Sequence, residues 1–167
     1  VSKRYKLVIL QKNVMAKIVI ISLFLFFGIY EIDAQPSSVK FNSELADSLG
    51  ADEYGMKMYS FVILKTGTNN MQVGAARDSI FSGHMANISR LVKEDKLIVA
   101  GPFGENDKAF RGLFIFTEPD IEKTKMLLAT DPAISTGVLS YEIYPWYGSA
   151  ALGMYLPNSE AVTKKNP

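Results

Sequence analysis

Between Met58 and Leu64 the chain reads MYSFVIL, a β-branched and aromatic run that stops at the turn-forming KTGTNN. That composition predicts a strand. From Ala75 to Asp95 the spacing changes: Ile80, Phe81, Met85, Ile88, Leu91 and Val92 recur at helical intervals, while Ser82, Asn87, Ser89 and Lys93 fall elsewhere. This pattern predicts an amphipathic helix. LIVAGPF (Leu97–Phe103) and RGLFIFT (Arg111–Thr117), joined by GENDKAF, predict a hairpin of second and third strands. Thr117-Glu118-Pro119-Asp120 combines a capping hydroxyl, an early proline and an acid three residues after the threonine. It predicts a helix start at Thr117, with the helix running to about Thr130. DPAISTG then breaks the helix, and VLSYEIYPW (Val138–Trp146) alternates Leu139, Tyr141 and Ile143 with Ser140 and Glu142 as a fourth strand.

The order βαββαβ predicts an α+β, ferredoxin-like sandwich in which right-handed crossovers place both helices on one face of a four-stranded antiparallel sheet. Strands one and three are apolar at nearly every position, including Phe61, Val62, Ile63 and Leu64, and Leu113, Phe114, Ile115 and Phe116. Both faces of such a sheet require burial, so a homodimer through the open face is expected. Residues 56–152 form the predicted domain. Residues 35–55 read as a polar linker with a short helix around Ser43–Leu49, and residues 153–167 read as a flexible C-terminal tail.

Upstream, the basic residues Lys3, Arg4, Lys6, Lys12 and Lys17 precede IVIISLFLFFGIY, a charge-free run of thirteen residues from Ile18 to Tyr30. A membrane-spanning helix needs roughly 20 apolar residues and a secretory signal core about 7–15, so the length predicts a cleaved signal peptide over residues 1–34 rather than an anchor. Met15 opens a compact signal of its own, which marks residues 1–14 as an upstream extension, and Ala34 is the expected last residue before cleavage. The expected destination is the periplasm or the exterior, with no stable membrane association after cleavage. The chain has no cysteine, which removes lipid-anchored lipoproteins, disulfide frameworks and thiolate metal sites. Residues 35–167 carry 13 Lys and Arg against 15 Asp and Glu, a formal charge of −2, so nucleic acid is not an expected partner.

Chemistry concentrates on two positions. His84, the single histidine, shares a helical face with Ile80, Ile88 and Leu91 and so points toward the sheet. Its inward position suits a hydrogen-bonded core histidine or a site histidine, and periodicity does not separate the two. Asp131 follows a predicted helix, where the macrodipole disfavours an acid, and precedes Pro132. It is either a local Asp-Pro turn or the partner of His84. One histidine without cysteine gives little basis for a metal site. No serine has a nucleophile-elbow setting, and Ser82 and Ser89 fall on the opposite helix face. Thr66-Gly67-Thr68-Asn69-Asn70 has one glycine and no following lysine, so a phosphate-binding loop is not predicted. Arg111 and Tyr59 could each supply a polar contact to a ligand, but surface ion pairing or core packing is the expected use of each, and both are left outside the site.

The segments GMKMYSFVILKTG, GHMANISRLVKEDKLIVAGPFG, RGLFIF, ATDPAISTGVL and EIYPWYGSAAL, spanning roughly Gly55–Leu152, resemble the YCII-related family of small ferredoxin-like proteins that form dimeric α/β barrels. The resemblance implies a His–Asp active-site dyad at His84 and Asp131, and the expected activity is that of an exported enzyme acting without a cofactor on a small organic molecule. It associates the chain with elimination chemistry, within a superfamily that includes isomerases and monooxygenases. A non-catalytic binding module of the same fold is the competing expectation, because function resides in the site and not in the architecture.

Expressed with its own N-terminus in a Gram-negative host, the protein is expected to be recovered soluble and shortened near Ala34. Intact-mass measurement decides this; full-length protein held in the membrane fraction would make Ile18–Tyr30 an anchor.

Overall fold

The structure, a computed structural model, describes residues 40–165. The expected signal segment and its cleavage point lie outside the described residues. Helix α1 (Ser43–Leu49) is closed at its start by the Asn42 side chain, which accepts from Leu45 N–H, and at its end by Gly50 in the left-handed conformation. It falls where the linker was expected to hold a short helix. Among the described residues, no helix is long and apolar enough to cross a membrane.

The sheet comprises β1 (Met56–Thr66), β2 (Leu97–Pro102), β3 (Phe110–Phe116) and β4 (Leu139–Ser149) in the order β2-β3-β1-β4. All three pairings are antiparallel, which makes the domain ferredoxin-like as the pattern predicts. Helix α2 (Ala75–Lys93) crosses from β1 to β2. Helix α3 (Ile121–Ala129) and the four-residue α4 (Pro132–Ser135) connect β3 to β4.

Period-two alternation sorts the strands into two cores. Val62, Leu64, Phe114, Phe116 and Leu139 meet Leu91 and Leu128 on the helix side. Tyr59, Ile98 and Ile115 form the opposite cluster, with Phe61, Leu113 and Trp146 packed against it. Phe114 and Phe116 therefore belong to the core under the helices, and Leu113 is the β3 residue that remains half-buried on the other face. A tyrosine occupies that second cluster because its hydroxyl finds a carbonyl: Tyr59 Oη donates to Ser149 O at 2.8 Å, and burial pushes its pKa up. This agrees with the core role expected for Tyr59.

Each of two strands carries one extra residue. Between the pairs Leu97↔Phe116 and Val99↔Ile115, Ile98 of β2 has no opposite number. Between Leu64↔Gly112 and Lys65↔Phe110, Arg111 of β3 has none. Such bulges bend a strand and re-aim side chains.

Four expectations are revised. The cap of α3 is Asp120, whose carboxylate accepts from the N–H groups of Glu122 and Lys123, while Thr117 Oγ1 donates to the carbonyls of Asp95 and Lys96. Thr117 therefore anchors the strand end, and the helix begins after the proline. Asn87, placed off the apolar face by periodicity, is buried because its amide oxygen accepts from Arg90 Nη2 at 2.8 Å and Thr130 Oγ1 at 3.1 Å. The tail is folded as far as Val162: turns at Ala150–Tyr155, Leu156–Ser159 and Glu160–Val162 follow β4 directly. Leu152 and Leu156 pack on the second cluster, and Tyr155 Oη donates to Ile98 O, so the chain's own end covers part of the sheet face that was expected to be open.

Candidate active site

Helix α2 has a glycine in its interior, where glycine costs about 1 kcal/mol relative to alanine. The compensating contact is specific. A Cβ on Gly83 would lie 2.9 Å from Cγ of Pro132, so only a glycine lets α2 approach the start of α4 this closely. The adjacent residues then meet: His84 Nδ1 lies 2.6 Å from Asp131 Oδ2.

Asp131 stands at the junction of two helices, and the second of them governs its electrostatics. It is the N-cap of α4, with Pro132 in the first turn, and its Oδ1 accepts from Ala133 N–H at 2.9 Å. An acid is favoured at a helix start and disfavoured at a helix end, so the repulsion expected from the preceding helix is answered by the next one. With one oxygen on the backbone and the other on the imidazole, the carboxylate is held at both ends. Asp131 is 1% exposed and His84 8% exposed.

The imidazole is also fixed from its sides. Its ring stacks on Phe114 with centroids 6.0 Å apart and meets the edge of Phe81 at 6.0 Å. With Nδ1–H donating to Asp131, Nε2 has no hydrogen-bond partner among the described residues, and no buried side-chain nitrogen or oxygen described lacks one. Nε2 therefore reaches accessible space. That space is a cavity of about 740 Å³ between α2 and the sheet, walled by Leu64, Phe81, Met85, Ile88 and Phe114 and lined by His84. Asp131 does not line it and stands behind the histidine.

Three polar side chains at the cavity were not picked out by the sequence. Arg77 lies two turns before His84 on α2, Thr66 ends β1, and Ser89 lines the wall although periodicity put it on the far side of the helix. Ser89 Oγ donates to Met85 O at 3.1 Å, an ordinary intrahelical bond. Arg111 also lines the cavity and makes no ion pair among the described residues, so its expected surface-pairing role is corrected. The described residues contain no group of three or more His, Cys, Asp or Glu able to hold a metal ion.

The protein is thus a ferredoxin-like α+β domain in which a histidine backed by a buried aspartate lines an apolar cavity. The model of the YCII-related domain matches residues 59–147, more than half of the chain, and the chain belongs to that family. Among solved structures it is similar to the 5-chloro-2-hydroxyhydroquinone dehydrochlorinase of Burkholderia phenoliruptrix AC1100 in complex with 2,5-dihydroxybenzoquinone, at 20% identity and a TM-score of 0.40, covering 53% of this chain and 92% of that one. The chain matches none of the curated proteins with which it was compared.

Gly83→Ala tests whether helix approach positions the pair. Alanine gains about 1 kcal/mol of helix propensity, but the rigid Pro132 ring must yield, and overpacking costs about 1–3 kcal/mol. The expected result is a small net loss in urea denaturation together with a changed His84 Nδ1–H resonance, which is unambiguous because the chain has one histidine. An unchanged resonance would show that the contact does not set the His84–Asp131 geometry.

Proposed function

We propose that the protein is a small-molecule enzyme working without a cofactor, with His84 as general acid and base and Asp131 as its positioning residue. The observation that carries this reading is the 2.6 Å contact of His84 Nδ1 with Asp131, which leaves Nε2 directed to the cavity. In the lyase- or isomerase-like step, Nε2 takes a proton from a substrate carbon or hydroxyl. The electron pair left behind either expels a leaving group, which gives elimination, or re-forms a bond elsewhere and takes the proton back, which gives isomerisation. Asp131 holds the Nδ1–H tautomer throughout and offsets the charge of the imidazolium. The low-polarity walls suit a largely apolar organic substrate.

A metabolite turnover screen with product analysis identifies the substrate. His84→Gln is expected to lower kcat by about 10²–10⁴-fold, since it removes the proton carrier. Asp131→Asn is expected to lower kcat less, with the fold retained at a stability cost of about 1–3 kcal/mol. If both variants kept wild-type turnover, the acid–base role of His84 and Asp131 would fall; if ligands bound and none was converted, the protein would be a binding module of the same fold.

Two further elements belong to the proposal. Export through the N-terminal segment would place the activity in the periplasm or outside the cell. Homodimerisation would cover the sheet face on which Phe61, Leu113 and Trp146 are half-buried and Tyr144 is exposed. Light scattering is expected to give a dimer, and Leu113→Glu a monomer that still folds. A wild-type monomer at micromolar concentration would defeat the dimer and leave the site chemistry standing.

A further inference from the structure

The residues lining the cavity include Arg77 and Arg111 but no Asp or Glu. Neither arginine is ion-paired among the described residues. Arg111 is the extra residue of the β3 bulge, and its Nε donates to Thr66 Oγ1 at 2.7 Å, which leaves both Nη groups without a partner among the described residues. Arg77 donates from Nη1 to Met71 O at 3.1 Å and sets its guanidinium 5.6 Å from the Phe81 ring centroid. Each guanidinium is thus held by one hydrogen bond while other N–H groups remain unengaged. Arg77 precedes His84 by seven residues, so the two share a helix face at a separation of about 10 Å along the axis.

Positive charge without a counter-charge beside low-dielectric walls focuses the field on an entering anion. Guanidinium groups match planar oxyanions through paired N–H donors. The geometry points to an anion-recognition subsite: the cavity takes a small organic acid whose carboxylate engages Arg111 and Arg77 while its apolar body lies along Phe81, Met85 and Ile88 toward His84. The assignment rests on the proposed reading that His84 faces the bound ligand, and it is tested by binding alone. Thr66 acts on Arg111 as a positioning residue, orienting the guanidinium through Nε.

Isothermal titration of the full chain with matched acids and amides (benzoate and benzamide, naphthoate and naphthamide, octanoate and octanamide) reads the subsite directly. At least one acid is expected to bind about tenfold or more tighter than its amide, the worth of a charged hydrogen bond. Arg111→Gln removes that preference by weakening the acid far more than its amide; His84→Gln keeps it. Failure of every acid to bind better than its amide, including failure of any to bind, overturns the subsite, as does undiminished acid binding by Arg111→Gln. The two readings fail separately. An acid preference in a protein whose His84→Gln variant keeps full turnover sinks the acid–base chemistry alone, and His84-dependent turnover with no acid preference sinks the subsite alone.

Discussion

The approach of helix α2 to the start of α4 is the constraint on which the site depends. Gly83 has no Cβ to hold Pro132 away, and His84 and Asp131 are the residues next to them in sequence. A dipeptide in the middle of one helix and a dipeptide at the start of another thus dock as a unit. One pair of atoms sets the spacing of the helices and the other sets the polar contact. A buried carboxylate is tolerated because Ala133 N–H and the imidazole satisfy both of its oxygens. Phe81 and Phe114 restrict the ring to one orientation, so little freedom remains to be lost when a ligand arrives.

The sheet contributes differently on its two faces. Its helix side combines a packed core with the cavity, and its other side holds Tyr59, Ile98 and Ile115 beneath the C-terminal turns. The bulges sit where these tasks diverge. At Arg111 the extra residue lets a long cationic side chain reach the cavity from a strand whose neighbouring positions hold Gly112 and Phe114. At Ile98 it supplies a second-face apolar side chain without displacing Leu97 from the first core.

Much of this was legible in the chain. Strands announced themselves by β-branched and aromatic runs, α2 by its apolar spacing, and the inward direction of His84 by the helical period that it shares with Ile80, Ile88 and Leu91. Less legible was anything decided by a partner distant in sequence. Asn87 reads as a surface residue until Arg90 and Thr130 satisfy its amide. Asp131 reads as a charge at an unfavourable helix end, although proline directly after an acid is also the signature of a new helix start. Gly83 beside the histidine was a signal of close packing within an otherwise regular helix. Arg111 was legible as a polar residue at a strand start but not as a cavity residue, because a strand period assigns it to the other face and the bulge changes that. The tail after Leu152 has a composition that does not distinguish loose chain from turns docked on a sheet.

The C-terminal turns also bear on how the molecule avoids unwanted polymerisation. Strand β2 lies at one margin of the sheet, where unsatisfied peptide groups invite a strand from another molecule. The carbonyl of Ile98, at the bulge, is occupied by the Tyr155 hydroxyl, and the strand is short and closes with Gly101-Pro102. Strand β4 at the opposite margin carries Pro145, a residue with no N–H to donate. Each margin thereby carries one backbone position that cannot take part in strand addition, which narrows the register in which another strand could pair with it.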